Sequence, residues 1–273
     1  MTRRTDLRWR AFFGQVVKTN RDCPDTLPRM AGTAQHKVVG VLGGMGPDAT
    51  VDFMAKVIAA TPADSDQDHI RMLVDHDPTV PSRQAAILDG GENPGPALAA
   101  MAVRLEKAGA DFLVIPCNTA YVFEKNIIDA TSIPLVSIIG VTVDEIAHRV
   151  PGVGAAGILA TDGCLQANVY QDAMVARGIR PVLPEASELA GLMNLIYRIK
   201  AGDRGDDVKQ SMRELGATLE SRGAQAVIAG CTEIPLVLDE AMLSVPLIAS
   251  TDVLAQHTVA LARGEEPLPA QES

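Results

Sequence analysis

One short pattern occurs twice in this chain and limits its fold more than any other feature. Phe112-Leu113-Val114-Ile115-Pro116-Cys117-Asn118-Thr119 is an apolar run that ends on a thiol and two small polar residues, and Ala226-Val227-Ile228-Ala229-Gly230-Cys231-Thr232-Glu233 repeats it. Gly109-Ala110 leads into the first copy and Gly223-Ala224 into the second, so glycine and cysteine alike recur at an offset of 114. A brief apolar run entered from Gly-Ala and left through Asn, Thr or Glu reads as a fully buried parallel strand with a polar carboxyl end. In open α/β sheets that end is where ligands bind.

Two further landmarks repeat. Gly40-Val41-Leu42 returns as Gly157-Ile158-Leu159 at an offset of 117, and Ser132-Ile133-Pro134-Leu135-Val136 returns as Ser244-Val245-Pro246-Leu247-Ile248 at 112. Offsets this long describe a duplicated domain, not a solenoid of ~20 to 50-residue repeats. The expected fold is therefore α/β: two pseudo-symmetric open parallel-sheet domains from an internal duplication, with the active site in the cleft between them. Residues 37–138 form the first domain and 139–244 the second, while 245–265 packs back on the first and 266–273 is a frayed tail. Strands are expected at Val38–Leu42, Ile70–Asp75, Phe112–Ile115, Leu135–Ile139 and Ala155–Thr161. Helices are expected over 49–59, 96–108, 166–177 and 252–263, with Pro47 suited to a first helical turn. Residues 1–36 show no period and read as a disordered extension, with Met30 a candidate start.

Composition removes several classes of function. A net charge of −10 speaks against nucleic acid or an anionic membrane surface as partner. No run approaches the ~18 to 20 apolar residues of a membrane span, and the Arg-rich N-terminus lacks the apolar core of a secretory signal. Four scattered cysteines (Cys23, Cys117, Cys164, Cys231) make no disulfide scaffold and no C-x-x-C. The protein is accordingly placed in the cytoplasm with reduced thiols.

A free cysteine in apolar surroundings is usually a small hydrophobe, which suits Cys23 and Cys164. Cys117 and Cys231 stand instead where a strand stops, followed by hydrogen-bonding groups and helix N-termini that can lower a thiol pKa from its free value of ~8.5. Matched acid and base groups, one from each half of a duplicated chain, suit the inversion of a stereocentre, in which a proton leaves one face and another arrives on the opposite face. No convincing site for pyridoxal phosphate or a metal is visible, so no cofactor is expected. Asn118, Thr119 and Thr232 are candidates to bind the substrate carboxylate and stabilise developing charge. Gly44-Met45-Gly46-Pro47-Asp48-Ala49 fits the dinucleotide fingerprint G-x-G-x-x-A, but the acidic residue expected at the end of the next strand is not at the right distance.

Gly43-Gly44-Met45-Gly46-Pro47, Pro116-Cys117-Asn118-Thr119-Ala120 and Gly230-Cys231-Thr232-Glu233 together resemble the signature of the aspartate/glutamate (and hydantoin) racemase superfamily, in its aspartate racemase branch. The resemblance runs in order from about Lys37 to Ile248. It implies a cofactor-independent amino-acid racemase, acting on aspartate or else on glutamate or another polar amino acid, with Cys117 and Cys231 as catalytic acid and base and a homodimer as the assembly. It also implies that Arg83 and Lys200 lie near the substrate's carboxylates, although each taken alone reads as a solvated surface charge. Met45 would line the pocket or the core, and Glu233 would orient Cys231 or cap the next helix. Two rivals remain: a cysteine-dependent isomerase or decarboxylase of a dicarboxylic acid, of the maleate isomerase kind, in which one thiol attacks carbon; and a non-enzymatic two-domain amino-acid binding protein.

Overall fold

A computed structural model describes residues 36–270. The expectations for residues 1–35 and 271–273 lie outside the described residues. The first half contains β1 (Val39–Gly43), α1 (Pro47–Ala60), β2 (Met72–His76), α2 (Arg83–Leu88), α3 (Gly95–Lys107), β3 (Phe112–Val114), α4 (Glu124–Ile128) and α5 (Ile138–Arg149). The second contains β4 (Ala155–Leu159), α6 (Asp162–Gln166), α7 (Val169–Val175), β5 (Arg180–Val182), α8 (Ala186–Lys200), α9 (Asp206–Ser221), β6 (Val227–Ala229), β7 (Leu247–Ala249) and α10 (Ser250–Arg263).

The strands form two parallel sheets, ordered β2-β1-β3 and β5-β4-β6-β7. A parallel bridge between Leu113 and Leu135 occupies in the first sheet the place that β7 fills in the second. Hydrogen bonds repeat along with the strands. Val38 N donates to Asp111 Oδ2 at 2.6 Å, as Gly154 N does to Gln225 Oε1 at 2.6 Å. Ser132 N donates to Glu106 Oε1 at 2.8 Å, as Ser244 N does to Glu220 Oε1 at 2.7 Å. Each of these acceptors ties the start of a strand or its lead-in to the last turn of the neighbouring helix or to the chain just after it, so the duplication extends to local bonding.

Packing explains why the glycines in the centres of β1 and β4 are themselves duplicated. A Cβ on Gly40 would lie 2.7 Å from Leu113 Cδ2 of β3 and 3.2 Å from Leu105 Cβ of α3, and one on Gly157 would lie 2.9 Å from Leu219 Cδ1 of α9. Helices α3 and α9 thus press their leucines directly onto the strand backbone, a close approach that only glycine allows. β1, β3, β4, β6 and β7 are buried throughout, while β2 and β5 stand at sheet edges. Full burial of side chains such as Phe112, Leu113 and Ile158 contributes about 1.5–3 kcal/mol each.

Both sheets belong to one compact unit. The last helix of each half crosses over: α10 packs on α1 of the first half and on α5, while α5 packs on α7 and β7 of the second. Within 245–265 the strand β7 stays in the second sheet, and the helix α10 makes the crossing.

Local structure departs from the sequence reading in four places. Leu135 makes only a single bridge, because Ser137 caps a helix by accepting from Gly140 N, so Ile138 and Ile139 open α5 and do not continue a strand. The helix read over 166–177 is broken between α6 and α7 by Asn168, whose left-handed backbone (φ 57°) suits asparagine. Arg83, which taken alone reads as a solvated surface charge, is half-buried as the first residue of α2 behind the Ser82 cap. Past α10 the chain is held, not frayed, through Leu268: Glu266 Oε2 meets His257 Nδ1 at 2.9 Å and Leu268 packs on the core.

Candidate active site

The carboxyl ends of β1, β3, β4 and β6 face one cavity of about 120 Å³, small beside the ~300–1,000 Å³ of drug-sized sites. Met45, Arg83, Cys117, Asn118, Thr119, Lys200, Cys231, Thr232 and Glu233 all line it. Every site residue named from the sequence is therefore brought to a single wall-to-wall space, with Cys117 following β3 and Cys231 following β6.

The first half contributes a turn, an arginine and a thiol. Gly44 has φ +94°, and a Cβ there would sit 2.4 Å from the Asp77 carbonyl carbon, so the turn after β1 requires glycine. Thr50 Oγ1 accepts from Gly44 N at 2.8 Å and donates to Gly46 O at 3.1 Å, which fixes that turn on the first turn of α1. Met45 is carried into the cavity as a buried apolar wall. Arg83 Nη1 donates to Val80 O at 3.1 Å and Pro81 O at 3.0 Å, while its Nε is buried and has no partner. The guanidinium is thus held at the cavity wall by its own loop.

The second half contributes a charged network. Cys231 Sγ donates to Glu233 Oε2 at 3.0 Å, and Thr232 Oγ1 donates to the same oxygen at 3.2 Å. Lys200 Nζ stands 3.3 Å from the other oxygen, Oε1. A Cβ on Gly46 would lie 3.3 Å from that same Oε1, so the glycine turn of the first half leaves room for the carboxylate of the second. Glu233 is 3% exposed, and Lys200, at the last residue of α8, has a side chain 39% exposed.

These contacts reverse one expectation. The thiol of Cys231 is not acidified: burial, first, and the Glu233 carboxylate, second, push its pKa well above the ordinary thiol value, with Lys200 only partly opposing them. Burial pulls the Lys200 ammonium down, but Glu233 and the nearby thiols outweigh it and hold its pKa above the usual lysine value. Cys231 therefore rests as a thiol and Lys200 as an ammonium. Around Cys117 the counterpart of Glu233 is Thr119, whose Oγ1 lies 3.0 Å from Thr161 Oγ1, so the two thiols sit in unequal fields.

Ser82, Gln84, Thr161, Tyr197 and Gly230 also line the cavity and were not named from the sequence. Thr161 closes β4, where the strand-end logic that found the cysteines would have found it. Gln84 Nε2 donates to Asp162 Oδ1 across the two halves, a contact with no sequence signal. Tyr197 is 58% exposed, one turn before Lys200 on α8. Cys164 is fully buried outside this space, its thiol pushed up to about 12 by burial.

The model of the Asp/Glu/hydantoin racemase family matches residues 42–258, from the strand before the glycine turn into α10. The chain belongs to that family. It is 32% identical over 239 residues to the broad specificity amino-acid racemase RacX of Bacillus subtilis, covering 81% of this chain and 96% of that one. Among solved structures it resembles the Picrophilus torridus aspartate racemase (28% identity, TM-score 0.72, 85% of this chain and 96% of that one). It also resembles an aspartate racemase homologue from Pyrococcus horikoshii (25% identity, TM-score 0.69, 83% and 99%). These neighbours place it in the aspartate racemase branch of the racemase family. Among the described residues no helix is long and apolar enough to cross a membrane.

Proposed function

We propose that this racemase interconverts the enantiomers of a dicarboxylic amino acid, aspartate above all, without a cofactor, with Cys117 and Cys231 as the two proton-transfer groups. The observation that carries the reading is the delivery of both thiols, by equivalent strand ends, to one small cavity. One sulfur, as thiolate, takes the proton from Cα and leaves a planar carbanion, and the other, as thiol, protonates its opposite face and becomes the thiolate. Because Cys231 rests protonated against Glu233, it serves as the acid for the enantiomer whose Cα–H faces Cys117. Glu233 orients that S–H bond, and in the reverse direction Cys231 is the thiolate and Cys117 the acid.

Charge supports the choice of substrate. Arg83 and Lys200 put two positive charges at the cavity wall, and a dicarboxylic amino acid brings two carboxylates to meet them. A guanidinium at the cavity wall, as at Arg83, suits a carboxylate as partner. Asn118 and Thr119 provide uncharged donors for the α-carboxylate, the Thr232 hydroxyl is committed to Glu233, and Met45 closes the wall. A homodimer and a cytoplasmic location, where thiols stay reduced, complete the proposal.

The test is a panel of L-amino acids in heavy water. Aspartate is expected to gain deuterium at Cα and to racemise, and Cys117→Ser and Cys231→Ser each to abolish racemisation. If both variants racemise aspartate at the wild-type rate, the two-thiol mechanism is wrong. A covalent adduct with maleate, detected by mass spectrometry, would instead favour an isomerase that attacks carbon.

A further inference from the structure

Between the two thiol-bearing strand ends lies Tyr170, a side chain that takes no part in the chemistry above. It is completely buried, and the left-handed turn at Asn168 brings it inward near the start of α7. Its hydroxyl donates to Asn118 Oδ1 at 2.6 Å, beside Cys117. Its ring lies against Gly230, beside Cys231, so closely that a Cβ there would be 3.0 Å from Tyr170 Cε2. Tyr170 thus touches the neighbour of each sulfur.

The bonding around it runs in one direction. Ala229 O can only accept, so Ser250 Oγ, 2.9 Å away, must donate its single proton there. Ser250 Oγ can then only accept from Asn118, at 3.2 Å, which turns the Asn118 NH₂ towards it and the amide oxygen towards Tyr170. Burial pushes the Tyr170 phenol far above its ordinary pKa, so it stays a donor. The relay begins at Tyr170, passes through Asn118 and Ser250, and ends on the strand that carries Cys231. Thr232, which follows Cys231 as Asn118 follows Cys117, bonds to Glu233 instead, so the device belongs to the Cys117 side alone.

We infer that Tyr170 and Ser250 are positioning residues of the racemase site: they lock the orientation of the Asn118 amide and set the spacing between the strand ends bearing Cys117 and Cys231. The inference rests on the two-thiol reading for its effect on rate, though not for its effect on Cys117 itself. Neither residue lines the cavity, so each acts through Asn118.

The experiment is a double-mutant cycle of Tyr170→Phe with Asn118→Ala, with Ser250→Ala as a second partner should Asn118→Ala fold poorly, each protein checked by its thermal midpoint. Two quantities are read: kcat/KM for α-proton exchange on aspartate, and the rate at which iodoacetamide alkylates Cys117 in ligand-free protein. Tyr170→Phe alone is expected to lower kcat/KM on the order of tenfold, the loss of one buried hydrogen bond, and to change the Cys117 alkylation rate about threefold or more by the same loss. In the Asn118→Ala or Ser250→Ala background it should change either rate by less than about twofold, because those variants already break the relay. A Tyr170→Phe penalty of equal size in both backgrounds, the mark of a general loss of folded protein, overturns the inference, and so does no penalty at all. Should the wild type exchange no α-proton from any amino acid, the racemase reading fails and the alkylation cycle alone decides the relay.

Discussion

Replacing Glu233 by glutamine should acidify Cys231, and the size of the change follows from the geometry. The carboxylate is 3% exposed and one oxygen lies 3.0 Å from Sγ. With the charge shared between both oxygens, an effective separation of ~4 Å at an effective dielectric of ~20 gives about 4 kcal/mol between carboxylate and thiolate. Removing that repulsion favours the thiolate and so lowers the pKa of the thiol. Burial, the largest cause of the raised value, remains, and Lys200 now acts on the thiolate without a neutralising partner. The assay is the pH dependence of Cys231 alkylation, followed by peptide mass spectrometry. In the wild type the inflection should lie above the free thiol value of ~8.5, and in Glu233→Gln it should move down towards that value. An inflection that stays within about half a unit, or rises, would refute the assignment of Glu233 as the group that keeps this thiol protonated.

Three other perturbations test separate parts of the structure. Arg83→Ala should raise KM for aspartate by about tenfold or more, since a charge-assisted bond contributes about 1.5–3 kcal/mol, while a neutral amino acid exchanged by the same enzyme should change little. Stability should fall as pH rises past about 8.5, because Cys231 and Cys164 keep their protons in the fold and lose them when unfolded. Urea midpoints at pH 8 and pH 10 should show that fall, and it should be shallower in Cys164→Ala, whose own contribution approaches about 1.4 kcal/mol per pH unit over that range. Gly157→Ala forces a methyl group to within 2.9 Å of Leu219, so chemical denaturation should report a loss of about 1–3 kcal/mol.

The parts of the site that the sequence revealed are those that depend on where a strand stops. Cys117 and Cys231 could be placed because an apolar run ending in polar residues marks the carboxyl edge of a parallel sheet, and Gly40 and Gly157 could be aligned because each lies under a helix. Arg83 and Lys200 needed the family resemblance, since a basic residue at a helix end has no local mark of burial. Gln84 and Asp162 meet only when the two halves dock, and Tyr170 turns inward only because Asn168 breaks a helix whose apolar spacing reads as continuous. The acidity of Cys231 was expected to have the opposite sign. Its neighbours in sequence are small and polar, but the decisive one, Glu233, folds its carboxylate back onto the sulfur, and that is a consequence of tertiary packing.

The unequal surroundings of the two thiols would seem to favour one direction of racemisation, yet thermodynamics forbids such a preference overall. Enantiomers in water have the same free energy, so kcat/KM must be identical in both directions whatever the enzyme places beside each sulfur. Glu233 beside Cys231, and Thr119 beside Cys117, can therefore divide that common value differently between kcat and KM, but cannot change its ratio. A protonated Cys231 makes one enzyme form the more stable, so the enantiomer that binds this form meets a resting state ready for catalysis. The other must draw on a less populated form, and its apparent affinity falls by that population. Glu233→Gln should thus lower kcat/KM by one shared factor in both directions while bringing the two KM values closer together. Two different factors would mean that the variant consumes more than the α-proton in one direction, which a two-thiol racemase cannot do.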